Sequence, residues 1–167
     1  MSATISKCGQ YRYLLGRDIS LINDAEKAVF VMLNPSTADA TEDDPTIRRC
    51  LGFAESWGCS GLVVANLYAL RSTDPKNLWK HDDPVGPEND GILRGLAHKH
   101  RDIVCAWGAN AKPDRVKRFH DFMVGYGAQL FCLGTTKAGA PRHPLYLRKD
   151  AELLPWSLPK GGSKSDE

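Results

Sequence analysis

The stretch AVFVMLNPSTADATEDDPT, residues 28–46, decides how this chain folds. Its first six residues are an unbroken apolar run, the pattern of a strand covered on both faces. The run stops at Asn34-Pro35, where the proline holds the residue before it out of the helical region. A polar loop with Asp39, Glu42, Asp43 and Asp44 follows before any helix signal. A helix is then predicted from Pro45 to Trp57. Asp43 and Asp44 read as caps, with a general-base role for one of them left open, Pro45 suits the first turn, and Ile47, Leu51, Ala54 and Trp57 form one apolar stripe ended by Gly58.

The same strand–loop–helix unit recurs. GLVVAN (61–66) reads as a second buried strand, and LYALRSTDPKNLWKHDDPVGPEND after it as a long polar loop, a length that marks function. A helix from Pro87 or Glu88 to His100 buries Ile92, Leu93, Leu96 and Ala97. DIVCAW (102–107) is a third strand, closed by Gly108. A helix over 112–124 aligns Val116, Phe119, His120 and Met123, and QLFCL (129–133) is a fourth strand that runs into GTTKAGAPRHP. Ahead of these, QYRYLLGRDISLI (10–22) reads as a strand or hairpin, because Tyr11, Tyr13 and Leu15 alternate with polar neighbours. The expectation is one α/β domain over residues 1–159, with its core at 28–150. It is a three-layer α/β/α sandwich around a mainly parallel central sheet, and residues 160–167 form a disordered tail.

At 167 residues, with 42% hydrophobic and 25% charged, the chain can bury a core without staples. No apolar run approaches the roughly 20 residues that span a bilayer, and MSATISKCGQYRY lacks the apolar centre of a signal peptide. A cytoplasmic protein with no membrane partner is expected. The five cysteines include no C-x-x-C pair, which argues against zinc and for reduced, structural thiols. His98 and His100 read as helix-end histidines rather than ligands. No P-loop, G-x-S-x-G elbow or H-E-x-x-H is present, and neither metal nor cofactor is expected. The net charge of +2 is not that of a dedicated DNA binder. Charge is nevertheless uneven: HKHR (98–101), KPDRVKR (112–118) and RHPLYLRK (142–149) are basic, the first two accounted for equally well by solvated helix faces.

In a parallel sheet the ligand lies beyond the carboxyl ends of the strands. The loops there are NPSTADATEDD, NLYALRSTDP, GANAKP and GTTKAGAPRHP, and right-handed crossovers bring them to one edge. Asn34, Asn66, Asn110 and His143 are thereby candidates for one shared site.

In order, these motifs resemble the uracil-DNA glycosylase superfamily. MLNPS (32–36) stands where that superfamily has a G-x-N-P-G-like turn, ANLYALRSTDPKN (65–77) resembles the segment after its second strand, AWGANA (106–111) its LGxxA element, and HPLYLRKD (143–150) its HPxxLLR element. More closely, LNPSTADATEDDPTIRRC, NLYALRSTDP, AWG and PRHPLYL resemble a family of bacterial and phage proteins, domain of unknown function 1643. The cysteines of the iron–sulfur glycosylase branch are absent, so that cluster is not expected. No aromatic follows the first motif until Phe53.

The glycosylase resemblance implies that the base is flipped from its stack and its N-glycosidic bond hydrolysed. Asn34 would position the attacking water and His143 would donate to a base carbonyl. Pro35, Ser36, Thr37, Asn66, Arg71, Gly108, Arg142 and Arg148 would bind the base or its phosphates. No obvious apolar wedge like that superfamily's stands beside His143, unless Leu145 or Tyr146 serves. From the residues alone, plainer readings stay open: Asn34-Pro35 as a strand terminator, Asn66 as a loop tie, Arg71 as a partner of Asp74, Tyr68, Trp79 and Trp107 as packing residues. Three functions therefore stand side by side. One is a hydrolase acting on a modified or damaged base in nucleic acid, the second a non-catalytic nucleotide or nucleic-acid binding module, the third an enzyme of free nucleosides or nucleotides.

Overall fold

The computed structural model describes residues 1–22, 24–36, 38 and 41–160; Thr37 and the tail from residue 161 lie outside the described residues. The strands are β1 (Ser2–Ile5), β2 (Arg12–Asp18), β3 (Ala28–Met32), β4 (Gly61–Asn66), β5 (Asp102–Cys105), β6 (Gln129–Cys132) and β7 (Leu154–Pro155). The helices are α1 (Pro45–Ser56), α2 (Asn89–Lys99) and α3 (Pro113–Gly125). Among the described residues the strands form one sheet in the order β1-β2-β4-β3-β5-β6-β7. The four inner strands β4-β3-β5-β6 are parallel, while β1, β2 and β7 add antiparallel edges. The sheet is therefore mixed rather than mainly parallel. β1 and β2 are joined by a short connection, which only antiparallel neighbours can use, while β7 returns to pair with β6 after a long segment.

No residue of β3 is more than 8% exposed, as its apolar run requires. Its alternate side chains serve two apolar clusters. Val29 and Val31 pack with Leu93 and Leu96 of α2 and with Phe119 and Met123 of α3. Phe30 and Met32 pack with Ile47, Cys50, Phe53 and Ala54 of α1. Helices on both faces follow from the strand order. The chain steps one way from β3 to β4 and the other way from β4 to β5 and β6, so right-handed crossovers put α1 opposite α2 and α3.

Asp44 caps α1 by accepting the Ile47 N–H at 2.9 Å, with Pro45 at the first helical position. Past the helix, Gly58 turns the chain with φ +74°, a region that costs glycine nothing. Trp57 stacks between Phe30 and Phe53, with ring centroids 5.9 and 5.8 Å away.

One expectation fails in β2. Tyr11 and Tyr13 pack on the α2/α3 side, yet Leu15 packs on the α1 side. In the β1–β2 ladder Thr4 lies opposite Leu14 and Ile5 opposite Arg12, so Tyr13 is an extra, bulged residue. A bulge reverses which face the following residues address. Arg12 and Arg17, five apart and opposed in a regular strand, consequently both reach the loop that leads into α1. The Arg12 guanidinium donates to the Ala38 carbonyl through Nη1. Arg17, 2% exposed, donates from Nε to Asp43 Oδ1 at 2.6 Å and also to the carbonyls of Gly16 and Glu42. Asp43 is thus the partner of a buried arginine and not a cap.

The segment after β4 is less of a loop than its composition implies. Leu67 to Leu70 are buried, and the N–H groups of Leu67 and Tyr68 continue the β3 ladder onto the Met32 and Leu33 carbonyls. Asp74 then caps a 3₁₀ segment, Pro75–Lys80, by accepting the Lys76 N–H. Cys50, Cys105 and Cys132 are buried free thiols, and burial pushes each of Cys50 and Cys105 above the ordinary thiol range. Among the described residues no helix is long and apolar enough to cross a membrane.

His100, just past α2, is 8% exposed, and its pKa is lowered by burial first and then by Lys99 and Lys27, with Glu26 opposing. A histidine depressed in the folded state adds stability above its unfolded pKa of 6.5 and loses it as pH falls through the lower folded value. Urea midpoints should therefore fall from about pH 7 towards pH 5, and His100→Gln should flatten that slope. An unchanged slope in the variant would show that other groups carry the acid sensitivity.

Candidate functional site

A cleft of about 500 Å³ opens at the carboxyl ends of the inner strands. It lies where strand connectivity diverges: β3 sends its chain to α1 on one face, while its neighbours β4 and β5 send theirs to α2 and α3 on the other. Such a switch point leaves a crevice between the departing loops. Asn34, Ser36, Asn66, Gly108, Asn110, Arg142 and His143 all line it. The four loops expected to converge do so.

The end of β3 presents Asn34 in a defined orientation. Its Nδ2 donates to the carbonyls of Pro35 (3.0 Å) and Ser72 (2.9 Å), which only the amide nitrogen can do, so Oδ1 is left as the acceptor. Pro35 is buried and does not line the cleft. Its carbonyl also takes the Ser72 N–H, tying the turn after β3 to the segment after β4.

Asn66, at the end of β4, is 2% exposed, and its Nδ2 has no hydrogen-bond partner among the described residues. An unpaired buried amide costs about 1–3 kcal/mol, so it calls for an acceptor. The expected loop tie is made by a different residue. Asn89, fully buried in the first turn of α2, donates through Nδ2 to the carbonyls of Asn66 (3.0 Å) and Leu67 (3.1 Å). Arg115 of α3 adds a bond from Nε to the Leu67 carbonyl and pairs through Nη1 with Asp90 at 2.7 Å.

His143 begins the single 3₁₀ turn Pro144–Tyr146, and its Nδ1 accepts the Leu145 N–H at 3.3 Å. In the neutral ring the proton is therefore on Nε2, a donor. Burial lowers the pKa of this histidine, opposed by the charge of Asp44. Asp44 also lines the cleft: its Oδ1 is committed to the helix cap, and Oδ2 has no partner among the described residues. A neutral histidine donor, an amide acceptor, an amide donor and a carboxylate thus face one space.

Gly108 contributes shape rather than a donor. Its N–H is taken by the Pro141 carbonyl at 2.8 Å, and its φ of +77° turns the chain sharply after β5. A side chain there would meet Cβ of His143 at 3.7 Å on a backbone that side chains rarely adopt. Trp107 forms a wall of the cleft and packs edge-on against Phe119 and Trp156.

Two of the expected binding residues lie elsewhere. Arg71 does not line the cleft; it sits beside Gly9 and Gln10, with its guanidinium 3.5 Å from the Gly9 carbonyl. Arg148 is 87% exposed and paired with Asp150 at 3.1 Å. In each case the residue follows the strand-end motif by several positions, and the chain has already turned away. Thr37 lies outside the described residues. Tyr68 and Trp79 pack edge-on against each other away from the cleft, with the Lys112 ammonium 4.6 Å above the Trp79 ring.

Arg12, Thr46, Ser72, Thr73 and Thr136 add polar groups to the lining, and none is legible as a site residue in the sequence. Asn89 carried one readable sign: it stands on the stripe of Leu93 and Leu96, a polar residue where an apolar one belongs.

A family model described as "Protein of unknown function (DUF1643)" matches residues 12–145. No curated protein and no solved structure gives a significant match.

Proposed function

The chain belongs to the DUF1643 family, and from that premise we propose that its strand-end cleft grips a nucleobase and hydrolyses the N-glycosidic bond behind it. The observation that carries this reading is the pairing of His143, held neutral by burial with its proton on Nε2, with Asn34, whose Oδ1 is turned out by two backbone carbonyls. The order of the motifs along the chain, which resembles that of the uracil-DNA glycosylase superfamily, the helices on both faces of the sheet and the strand-end position of the cleft support this reading further.

The chemistry follows from those groups. Water held by the Asn34 Oδ1 attacks C1′ of the sugar, and the C1′–N bond breaks with its electron pair leaving on the base. Asp44 Oδ2 takes the water proton and offsets the positive charge that develops on the sugar. His143 Nε2–H and the unpartnered Asn66 Nδ2 donate to oxygens of the departing base, where negative charge grows; each such donor is worth roughly 10²–10³ in rate. A hydrolase needs no further co-reactant than water.

Oligonucleotides carrying uracil, hydroxymethyluracil or hypoxanthine, incubated with the protein and then treated with alkali, should break at the abasic site. Asn34→Ala should slow base release by about 10²–10³ while leaving the fold intact. Binding of those oligonucleotides without release from any of them would instead assign the cleft to a non-catalytic module. Release from free nucleosides alone would make it a nucleoside hydrolase.

A further inference from the structure

Beside the cleft, on the outer side of α1, lies a second depression of about 590 Å³, and Leu145 is a wall of both. Its floor is apolar, formed by Pro45, Phe53 and the open backbone of Gly52, where an added Cβ would meet nothing within 4 Å. Its rim carries three cations, Arg48, Arg49 and Lys149, and no acidic side chain lines it among the described residues. None of the three makes a salt bridge among the described residues. Arg48 donates to the Asp43 carbonyl, Arg49 donates to the Leu147 carbonyl and lies 5.9 Å from the Phe53 ring, and Lys149 is solvent-exposed.

We propose that this groove is a phosphodiester track: it holds the nucleotide next to the one whose base enters the cleft. This rests on the reading of the cleft as a base site. Charge complementarity selects the occupant. Three cations that make no salt bridge among the described residues, grouped around one groove, suit a phosphate with its sugar. Arg49, held by the Leu147 carbonyl and 5.9 Å from the buried Phe53 ring, brings a planar guanidinium fork to the groove, the geometry that suits phosphate. Two depressions of similar size sharing one wall fit successive residues of a strand. A free mononucleotide would fill the cleft alone and leave the groove empty. The substrate class that follows is single-stranded or locally opened nucleic acid rather than a free nucleoside.

Arg48 and Lys149 are exposed, so their reversal spares the core. A fluorescent single-stranded oligonucleotide of about twelve nucleotides should bind the wild-type chain with a steep dependence on salt. The double variant Arg48→Glu/Lys149→Glu should bind it at least ~10-fold more weakly at low salt, with the log–log salt slope smaller by about 1.4, two contacts at roughly 0.7 each. Thymidine and deoxyuridine, followed by the amide shifts of Asn34 and Asn66, should bind both proteins alike. Equal oligonucleotide affinity in the two proteins overturns the track, as does wild-type binding of nucleosides but not of the oligonucleotide. So does weakened binding of anionic phospholipid vesicles by the variant where the oligonucleotide is unaffected. Loss of oligonucleotide binding in the variant, with no nucleoside bound by either protein, supports the track and overturns the base-site reading instead.

Discussion

Arg17→Met should cost about 3–5 kcal/mol of folding free energy, the range found when one member of a buried ion pair is removed. The substitution keeps the length and apolar stem of a side chain that is 2% exposed, so packing loss is small. What disappears is the guanidinium that ties Asp43 Oδ1 and the Glu42 carbonyl to the Gly16 carbonyl of its own strand. The lower end of the range is the better expectation, because Asp43 is 24% exposed and water can take over part of its solvation. Urea denaturation measures the loss, and a double-mutant cycle with Asp43→Ala isolates the pair; a coupling energy near zero would mean the arginine acts by filling space alone. The same loop leads into Asp44, so the variant should also loosen the mouth of the cleft. Amide exchange at Thr46 and Ile47 should rise ahead of that in β3.

The second large effect is at Asp44, to which the proposed hydrolysis gives a second task, separable from the helix cap. Its Oδ1 caps α1, and an asparagine caps equally well, so Asp44→Asn should leave stability nearly unchanged while Asp44→Ala costs about 1 kcal/mol. The asparagine cannot accept the water proton and carries no charge to offset that on the sugar. Base release by Asp44→Asn should fall by about 10²–10⁴. A readout independent of turnover accompanies this: Asp44 raises the His143 pKa against the lowering by burial, so its neutralisation moves the His143 titration to still lower pH. An Asp44→Asn protein that releases base at the wild-type rate would confine Asp44 to capping and return the proton to bulk water.

Much of this molecule was readable from residue order. The continuous apolar runs at Ala28–Met32 and at 62–65 are strands of the core because they carry no polar side chain to place in water. Asp44-Pro45 and Gly58 bound α1 because capping and left-handed turns are local chemistry, complete within a few residues. The convergence of Asn34, Asn66, Asn110 and His143 was also legible, since parallel strands have all their carboxyl ends on one side. These are properties of the backbone and its nearest neighbours, and they follow from residue order alone.

Only the tertiary structure decided what depends on partners distant in the chain. One bulged residue, Tyr13, turns Arg12 and Arg17 to the same side of β2, and alternation along the strand cannot reveal an extra residue that is defined by the facing strand. Whether a charged residue is solvated or buried depends on what is packed above it, so Arg17 and Arg71 look alike in sequence and differ entirely in the fold. Asn66 reads from sequence either as a loop tie or as a binding residue; Asn89, from α2, makes the tie, and the Asn66 amide has no partner among the described residues beside the cleft. Hydrogen bonds and ion pairs saturate, and which groups remain free for a ligand is settled only after every competing partner has been placed.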